Sequence, residues 1–243
     1  MLKTMKADLH IHTCLSPCGE LEMSPTGIAE QAKTKEIDIL GICDHNSSEN
    51  VPALIKAAQK YEIVVLPGME VTSQEEVHIL ALFDELDSAL KLQEIIYAHL
   101  HGENDEEAFG MQVVVNEEDE VLGFNKKLLI GASTLPVEEV VKTIHTLNGL
   151  AIASHIDREG FSLIGQLGFI PEGLELDALE ISPAISFEIA MEKFNPLYPL
   201  TCASDAHFIE DIGRGTTSFY IEEGTTEEIK KALMNTDGRK IIH

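Results

Sequence analysis

The stretch Asp8-Leu9-His10-Ile11-His12-Thr13 contains two histidines at a spacing that suits metal binding. On a β-strand, side chains alternate between faces, so Asp8, His10 and His12 would share one face. Their imidazoles, about 6.8 Å apart along the strand, could converge on one ion, with Asp8 behind them as an orienting carboxylate. An edge strand with two incidental histidines explains these six residues equally well.

Further candidate ligands lie at or just after the carboxyl ends of later predicted strands. They are His45, Glu70, His155, Asp205 and His207, and His78 lies within another strand. In a β/α barrel the carboxyl ends of the strands share one rim, where active sites are built. Six of the ten histidines fall in this set. Incidental placement would leave more of them on helix surfaces, so the pattern favours a metal site.

The types of ligand narrow the choice of metal. Imidazoles with two carboxylates suit zinc, iron or manganese, because calcium and magnesium prefer shells of oxygen. Each ion needs roughly four protein ligands or fewer. Eight or nine ligands therefore indicate two or three divalent ions, with Glu70 or Asp205 bridging them or orienting a metal-bound hydroxide. Such sites stabilise both the attacking and the leaving oxygen of an in-line displacement.

Apolar runs that alternate with helical segments predict an α/β fold of a single domain over residues 1–243. Repeated βα units imply a parallel sheet, either open or closed into a barrel. Residues 84–134 interrupt this alternation with a helix over 84–101 and a hairpin with strands at 111–115 and 121–124. We interpret 84–134 as a small insertion or lid, although a solvated outer helix and hairpin fit its composition equally well.

Composition excludes several classes of protein. The 42 acidic residues against 17 Lys and Arg give a net charge of −25, which argues against an extended nucleic-acid surface. A small phosphorylated substrate remains compatible, because bound cations can dominate the local field. No secretory leader follows Met1, no apolar run reaches about 18 residues, and four cysteines are too few for a disulfide scaffold. We expect a cytoplasmic protein without a membrane partner; its oligomeric state is not predicted.

Five motifs in order carry a resemblance to a known family. DLHIHT, CDHN, PGMEVTS followed by HIL, SHID and SDAH resemble the PHP (polymerase and histidinol phosphatase) family along nearly the whole chain. The resemblance implies a distorted seven-stranded β/α barrel, a trinuclear metal site and phosphoesterase activity. It implies one ion on His10, His12, Glu70 and Asp205, a second on Glu70, His78 and His155, and a third on His45 and His207.

One segment departs from the family pattern. Family members commonly place a His or Asp a few residues after the paired histidines, whereas this chain has Leu15-Ser16-Pro17-Cys18-Gly19. Cys18 stands in the place of the missing ligand, and a thiolate would favour zinc or ferrous iron over manganese. Alternatively, Cys18 only fills the loop and the third ion is weak or absent. Asp44 precedes His45 and is a second candidate for an orienting carboxylate.

The positions of the few arginines suggest which residues bind the substrate. Two of the three arginines follow ligand motifs, Arg158 after His155 and Arg214 after His207. A guanidinium fork suits phosphate, although structural salt bridges are the alternative for each. We predict a phosphoric ester hydrolase that cleaves a small phosphomonoester with a metal-bridging hydroxide. The short spacing from Glu70 to His78 resembles the nucleotide-phosphatase branch, which suggests a nucleotide or nucleoside bisphosphate. Histidinol-phosphatase-like activity, an amidohydrolase and a non-catalytic metal-binding regulatory domain are the alternatives.

Overall fold

The apolar runs of the sequence form strands in the computed structural model, which describes residues 1–194 and 197–242. The strands are β1 Lys3–Ile11, β2 Ile39–Ile42, β3 Val64–Leu66, β4 Gly68–Thr72, β5 His78–Leu82, β6 Val113–Val115, β7 Val121–Phe124, β8 Leu150–Ala153, β9 Ala178–Ile181, β10 Leu200–Cys202, β11 Thr217–Ile221 and β12 Lys240–Ile242. All the predicted strands are present, most of them with shifted ends. Two strands were not predicted: β12, and β4, which contains Glu70 where the sequence indicated only the end of the preceding strand.

The segments between the strands form the helices. They are α1 Pro25–Thr34, α2 Val51–Gln59, α3 Leu86–His99, α4 Glu106–Phe109, α5 Val137–Thr146, α6 Leu163–Leu167, α7 Phe187–Phe194 and α8 Thr226–Leu233. Several begin at a side-chain cap of the expected kind; Ser24, for example, accepts a hydrogen bond from Gly27 N at the start of α1. The longest helix, α3, has 14 residues. Among the described residues, no helix combines the length and apolarity that crossing a bilayer requires.

The strands form two five-stranded sheets and a separate hairpin. One sheet has the order β12-β11-β1-β2-β3 and the other β10-β9-β8-β5-β4, while β6 pairs with β7. Two isolated bridges, Ile11 with Ala206 and His45 with Glu70, connect the sheets. The mixed α/β fold is therefore confirmed, but the predicted distorted barrel of seven strands is not, because continuous strand pairing does not join the two sheets.

The direction of β5 differs from the predicted parallel arrangement. β5 runs antiparallel to both of its neighbours, β4 and β8, and β11 and β12 are also antiparallel additions. Because β5 is reversed, its first residue, His78, lies at the edge where the other strands end. The prediction placed His78 in a strand but did not foresee this reversal, which brings it to the same rim as the other candidate ligands.

Apolar side chains fill the space between the sheets and cover both outer faces. Leu9, Leu80 and Phe219 lie in the core between the sheets, whereas α1 and α2 pack outside the first sheet and α3 and α5 outside the second. The predicted alternation along β1 is interrupted, because the register with β2 shifts between Asp8 and Ile11. Leu9 and Ile11 consequently belong to different cores, and Asp8 does not back the histidine pair as expected.

The segment 84–134 contains the predicted helix, as α3, and the predicted hairpin, as β6 and β7. Its ends lie side by side, since Leu100 forms a bridge with Ser133. Asp119 in the hairpin turn accepts a hydrogen bond from Ser24 Oγ at 2.9 Å and one from Thr26 N at 3.1 Å. The hairpin is thus fixed to the first turn of α1, and its function as a lid stays a prediction.

Gly41 on β2 permits the close approach of β1 and β2 beside the paired histidines. A Cβ atom at Gly41 would lie 2.3 Å from the backbone oxygen of Leu9. We expect Gly41→Ala to lower the free energy of unfolding by about 2 kcal/mol or more, because the clash involves backbone that cannot rotate away. Urea denaturation of the metal-free protein measures this loss. Gly123→Ala is the matched control, since a Cβ there meets nothing within 4 Å, and an equal loss in both variants would contradict the explanation.

Candidate metal centre

Glu70 on β4 lies at the centre of a buried group of imidazoles. Only 1% of its surface is exposed. The distances from its carboxylate oxygens are 2.9 Å to His78 Nδ1, 3.1 Å to His45 Nδ1, 3.3 Å to His155 Nε2, 3.4 Å to His10 Nε2 and 3.6 Å to His12 Nε2. Burial opposes ionisation, but the neighbouring imidazoles hold the pKa of Glu70 well below its usual range. The structure therefore brings five predicted ligands to one predicted bridging residue.

Asp205, just after β10, forms a second point of convergence with the histidine pair. Its Oδ1 lies 3.1 Å from His12 Nε2 and 3.2 Å from His10 Nε2. The two Nε2 atoms are themselves 3.1 Å apart. Two ring nitrogens this close to each other and to two carboxylates form a concentrated set of electron-pair donors, which a cation would stabilise.

His207 extends the group on the side of His12 and His45. Its ring stacks on His12 with centroids 4.1 Å apart, and it lies 6.2 Å from the ring of His45. Cys18 borders the same cavity as His45 and His207. Cys18 is exposed at this cavity, and its interactions with His207 and His45 lower the pKa of its thiol to about 6. The sequence position that departs from the family pattern thus places a readily ionised thiol beside two candidate ligands.

The donor atoms fit divalent transition metals. Three overlapping groups have ligand atoms that all lie within 4.8 Å of one another: His12, His45 and His207; His10, His12 and Asp205; and His45, Glu70 and His78. In the described ranges, Nδ1 of His45, Oε1 of Glu70 and Nδ1 of His78 are buried and close together, yet none of these atoms makes a hydrogen bond of acceptable geometry. Buried polar atoms normally form hydrogen bonds, so donor atoms that converge without them fit a site for a cation.

Two buried acids outside the ligand set are linked to the paired imidazoles. Ser16 Oγ donates to Asp44 at 2.7 Å and lies 2.9 Å from His12 Nδ1. The hydroxyl proton is used by Asp44, so His12 donates from Nδ1 and keeps the electron pair of Nε2 toward the site. Glu180 on β9 lies 2.9 Å from His10 Nδ1 and fixes that ring in the same way. Asp44 is therefore linked to His12 through Ser16, and its role as an orienting carboxylate stays a prediction.

Asp8 has a different position from the expected one. Its carboxylate accepts hydrogen bonds from Ser204 N at 3.0 Å and Gly213 N at 2.9 Å, and burial raises its pKa to about 6. Asp8 thus holds the loop that carries Asp205, and Glu180 takes the place behind His10. Sequence reasoning missed Glu180, although a single acid within the otherwise apolar strand Ala178–Ile181 was an available signal.

The two predicted phosphate-binding arginines lie in different surroundings. Arg158 borders the cavity above the ligands and forms an ion pair with Asp205. Arg214 pairs instead with Asp211 at 2.5 Å, and its side chain is 64% exposed. It is not among the residues that line this cavity. The cavity wall also contains Ile130 and Phe161, which sequence reasoning did not single out.

Glu180→Gln provides a test of the orienting role. The amide would weaken the acceptor that holds His10, so we expect the affinity for Zn²⁺ to fall by about 10- to 100-fold. Competition against a chromophoric chelator measures this change. Glu175→Gln, in the exposed loop before β9, is the matched control and should bind Zn²⁺ as the wild type does. Equal affinity in Glu180→Gln and the wild type would show that Glu180 does not position His10.

Comparisons with known proteins place the fold. The chain is 32% identical over 101 residues to an uncharacterised protein of Methanocaldococcus jannaschii, an alignment that covers 38% of this chain and 59% of that protein. The structure of the present chain resembles that of a lesion-specific endonuclease from Pyrococcus furiosus, with a TM-score of 0.73 and 23% identity. The match covers 98% of this chain and 58% of the endonuclease. The chain thus spans less than two thirds of these relatives.

A structure from Bifidobacterium adolescentis, described as a metal-dependent phosphoesterase, has a TM-score of 0.55 and 17% identity, with 83% of this chain and 87% of that chain covered. At these identities the solved structures show similarity of fold alone. The family model described as the PHP domain matches residues 8–242. Together with the convergence of the five motifs at one buried centre, this match shows that the chain belongs to the PHP domain family.

Proposed function

We propose that this chain is a metal-dependent phosphoesterase that hydrolyses a small phosphomonoester. The observation that carries the proposal is the convergence of five imidazoles on the buried carboxylate of Glu70. Divalent ions bound there would supply an activated water and neutralise charge on a phosphate. The description of a structural neighbour as a metal-dependent phosphoesterase supports the same class of reaction.

The side chains divide into overlapping ligand sets in this proposal. Glu70 lies close enough to both the His10–His12 pair and the His78–His155 pair to serve two ions. His207 and Cys18 complete a third set with His45, which also approaches Glu70. The proposed sets are His10, His12, Glu70 and Asp205; Glu70, His78 and His155; and His45, His207 and Cys18. Zinc, iron and manganese suit the first two sets, and the thiol favours zinc or ferrous iron in the third.

Arg158 is the proposed contact for the substrate phosphate. Its side chain is 44% exposed at the cavity while one end of the guanidinium pairs with Asp205. The planar group has five N–H donors, so it can hold Asp205 and still donate to a phosphate oxygen. Arg214 forms an ion pair with Asp211 and does not line the cavity. It therefore has no part in the proposed mechanism.

The size and charge of the site favour a small substrate. The cavity has a volume of about 390 Å³, which is at the lower end of typical ligand pockets. The net charge of −25 opposes binding along an extended phosphate backbone. Endonuclease activity is the second candidate, because the neighbour from Pyrococcus furiosus covers nearly the whole chain. Cleavage of duplex DNA with a steep salt dependence, in the absence of phosphomonoester turnover, would favour that second candidate.

Glu70→Gln tests the proposed reaction. We expect the wild type, loaded with Mn²⁺, Fe²⁺ or Zn²⁺, to release phosphate from p-nitrophenyl phosphate, and the variant to lose at least about a thousandfold in rate because the central charge is removed. Circular dichroism should show an unchanged fold. Glu94→Gln, on the exposed side of α3, is the matched control and should retain full activity. An unimpaired Glu70→Gln variant would contradict the mechanism, and fewer than two bound ions per chain would favour a non-catalytic regulatory domain.

Cys18→Ser tests the third ligand set. A thiolate ligand gives bound Co²⁺ an intense sulfur-to-metal charge-transfer band, so we expect this band in the wild type and its loss in the variant. The preference for Zn²⁺ over Mn²⁺ should also fall, by about tenfold, because the soft ligand is gone. Cys202→Ala, on β10, is the control and should keep the band. An unchanged cobalt spectrum in Cys18→Ser would show that Cys18 only fills the loop.

A further inference from the structure

One loop directs three different chemical groups at the cavity. The segment 155–162, between β8 and α6, contributes the imidazole of His155, the guanidinium of Arg158 and the ring of Phe161 to its lining. The first two groups already have parts in the proposed phosphoesterase. Phe161 does not, although it adjoins the same candidate ligands.

The backbone of Phe161 has an unfavourable conformation. Its φ is +57°, in the left-handed region that bulky residues rarely adopt. The conformation is fixed on both sides: His78 N donates to Phe161 O at 2.9 Å, and Ser162 Oγ donates to Arg158 O at 2.6 Å. Ser162 also caps α6. Such strain persists where surrounding contacts impose it, and it is concentrated at functional sites.

The ring of Phe161 is held in place without being buried. It stacks on His78 with centroids 4.7 Å apart and planes inclined by 21°. The residue nevertheless remains 44% exposed, and it belongs to none of the hydrophobic cores formed by the described residues. Core packing therefore does not explain its position. Ile130 adds a second apolar side chain to the same cavity.

We infer that Phe161 is a stacking platform for a planar ring of the substrate, and that the phosphomonoester is therefore a nucleotide. The inference rests on the proposed phosphoesterase function. The phosphate would face Arg158 and the candidate metal ligands. The base would stack on the exposed face of the Phe161 ring, opposite the face that contacts His78. Any of the nucleic-acid bases can stack on an aromatic side chain, because every base has a π-face. Phe161 is thus assigned as a specificity-determining residue.

Two substrates that differ only in the base test this assignment. Adenosine 5′-monophosphate and ribose 5-phosphate carry the phosphate on the same sugar carbon, so the ratio of their kcat/KM values isolates the contribution of the base. We expect the metal-loaded wild type to prefer the nucleotide, Phe161→Ala to lower the ratio by about tenfold or more, and Phe161→Tyr to preserve it. Phe169→Ala, at a residue that is 63% exposed outside this cavity, is the matched control and should keep the wild-type ratio.

A direct binding measurement accompanies the kinetics. The chain contains no tryptophan, so Phe161→Trp introduces a single fluorescent reporter at the proposed platform. Adenosine 5′-monophosphate should quench its emission by stacking, and ribose 5-phosphate should not. Equal turnover of both compounds without quenching would overturn the stacking platform and leave the phosphoesterase intact. Quenching without turnover of either compound would support the platform and overturn the phosphoesterase.

Discussion

The burial of the Glu70 carboxylate among five imidazoles constrains the rest of the molecule. A buried negative charge must be balanced by nearby positive charge. Protonation of the surrounding imidazoles does not supply that charge uniformly, because the pKa values of neighbouring rings are shifted in opposite directions. Burial and the nearby His207 lower the pKa of His12, whereas Glu180, Asp205 and Glu70 outweigh burial and raise the pKa of His10. The pKa values of these adjacent rings are thus shifted in opposite directions. A cation that accepts electron pairs from both rings would remove this difference, and the surrounding strands already hold the donor atoms close together.

This convergence requires sharp turns at the ends of the strands. His155 and Asp205 each follow a serine that lies within two residues of the end of a strand, and both have positive φ, at +28° and +50°. These turns are stabilised by local hydrogen bonds, including Arg158 N to His155 O at 2.9 Å and the two bonds that Asp8 accepts from the loop of Asp205. Conformational strain at the candidate ligands is therefore offset by polar contacts behind them.

The sequence predicted the features that depend on short-range pattern. Motifs at the ends of strands identified the residues that gather around Glu70, and apolar periodicity located most of the helices and strands, but not β4, α4 or β12. The direction of β5, the pairing of Glu180 with His10 and the exposed ring of Phe161 were not predictable in this way. They depend on which strands become neighbours and on backbone angles that tertiary contacts impose. Arg158 and Arg214 looked equivalent as residues after ligand motifs, and only their surroundings separate them.

The reversal of β5 gives the segment 84–134 its access to the rim. The chain leaves β5 at the opposite end of the sheet, returns along α3, passes over the cavity and descends through α5 to β8. The passage is held by Asn46, which donates to Leu129 O at 2.8 Å and Gly131 O at 2.9 Å, so that Ile130 between them lines the cavity. Neither β6 nor β7 pairs with a strand that carries a candidate ligand, so changes of sequence in this passage would reshape the wall of the cavity while those strands keep their register.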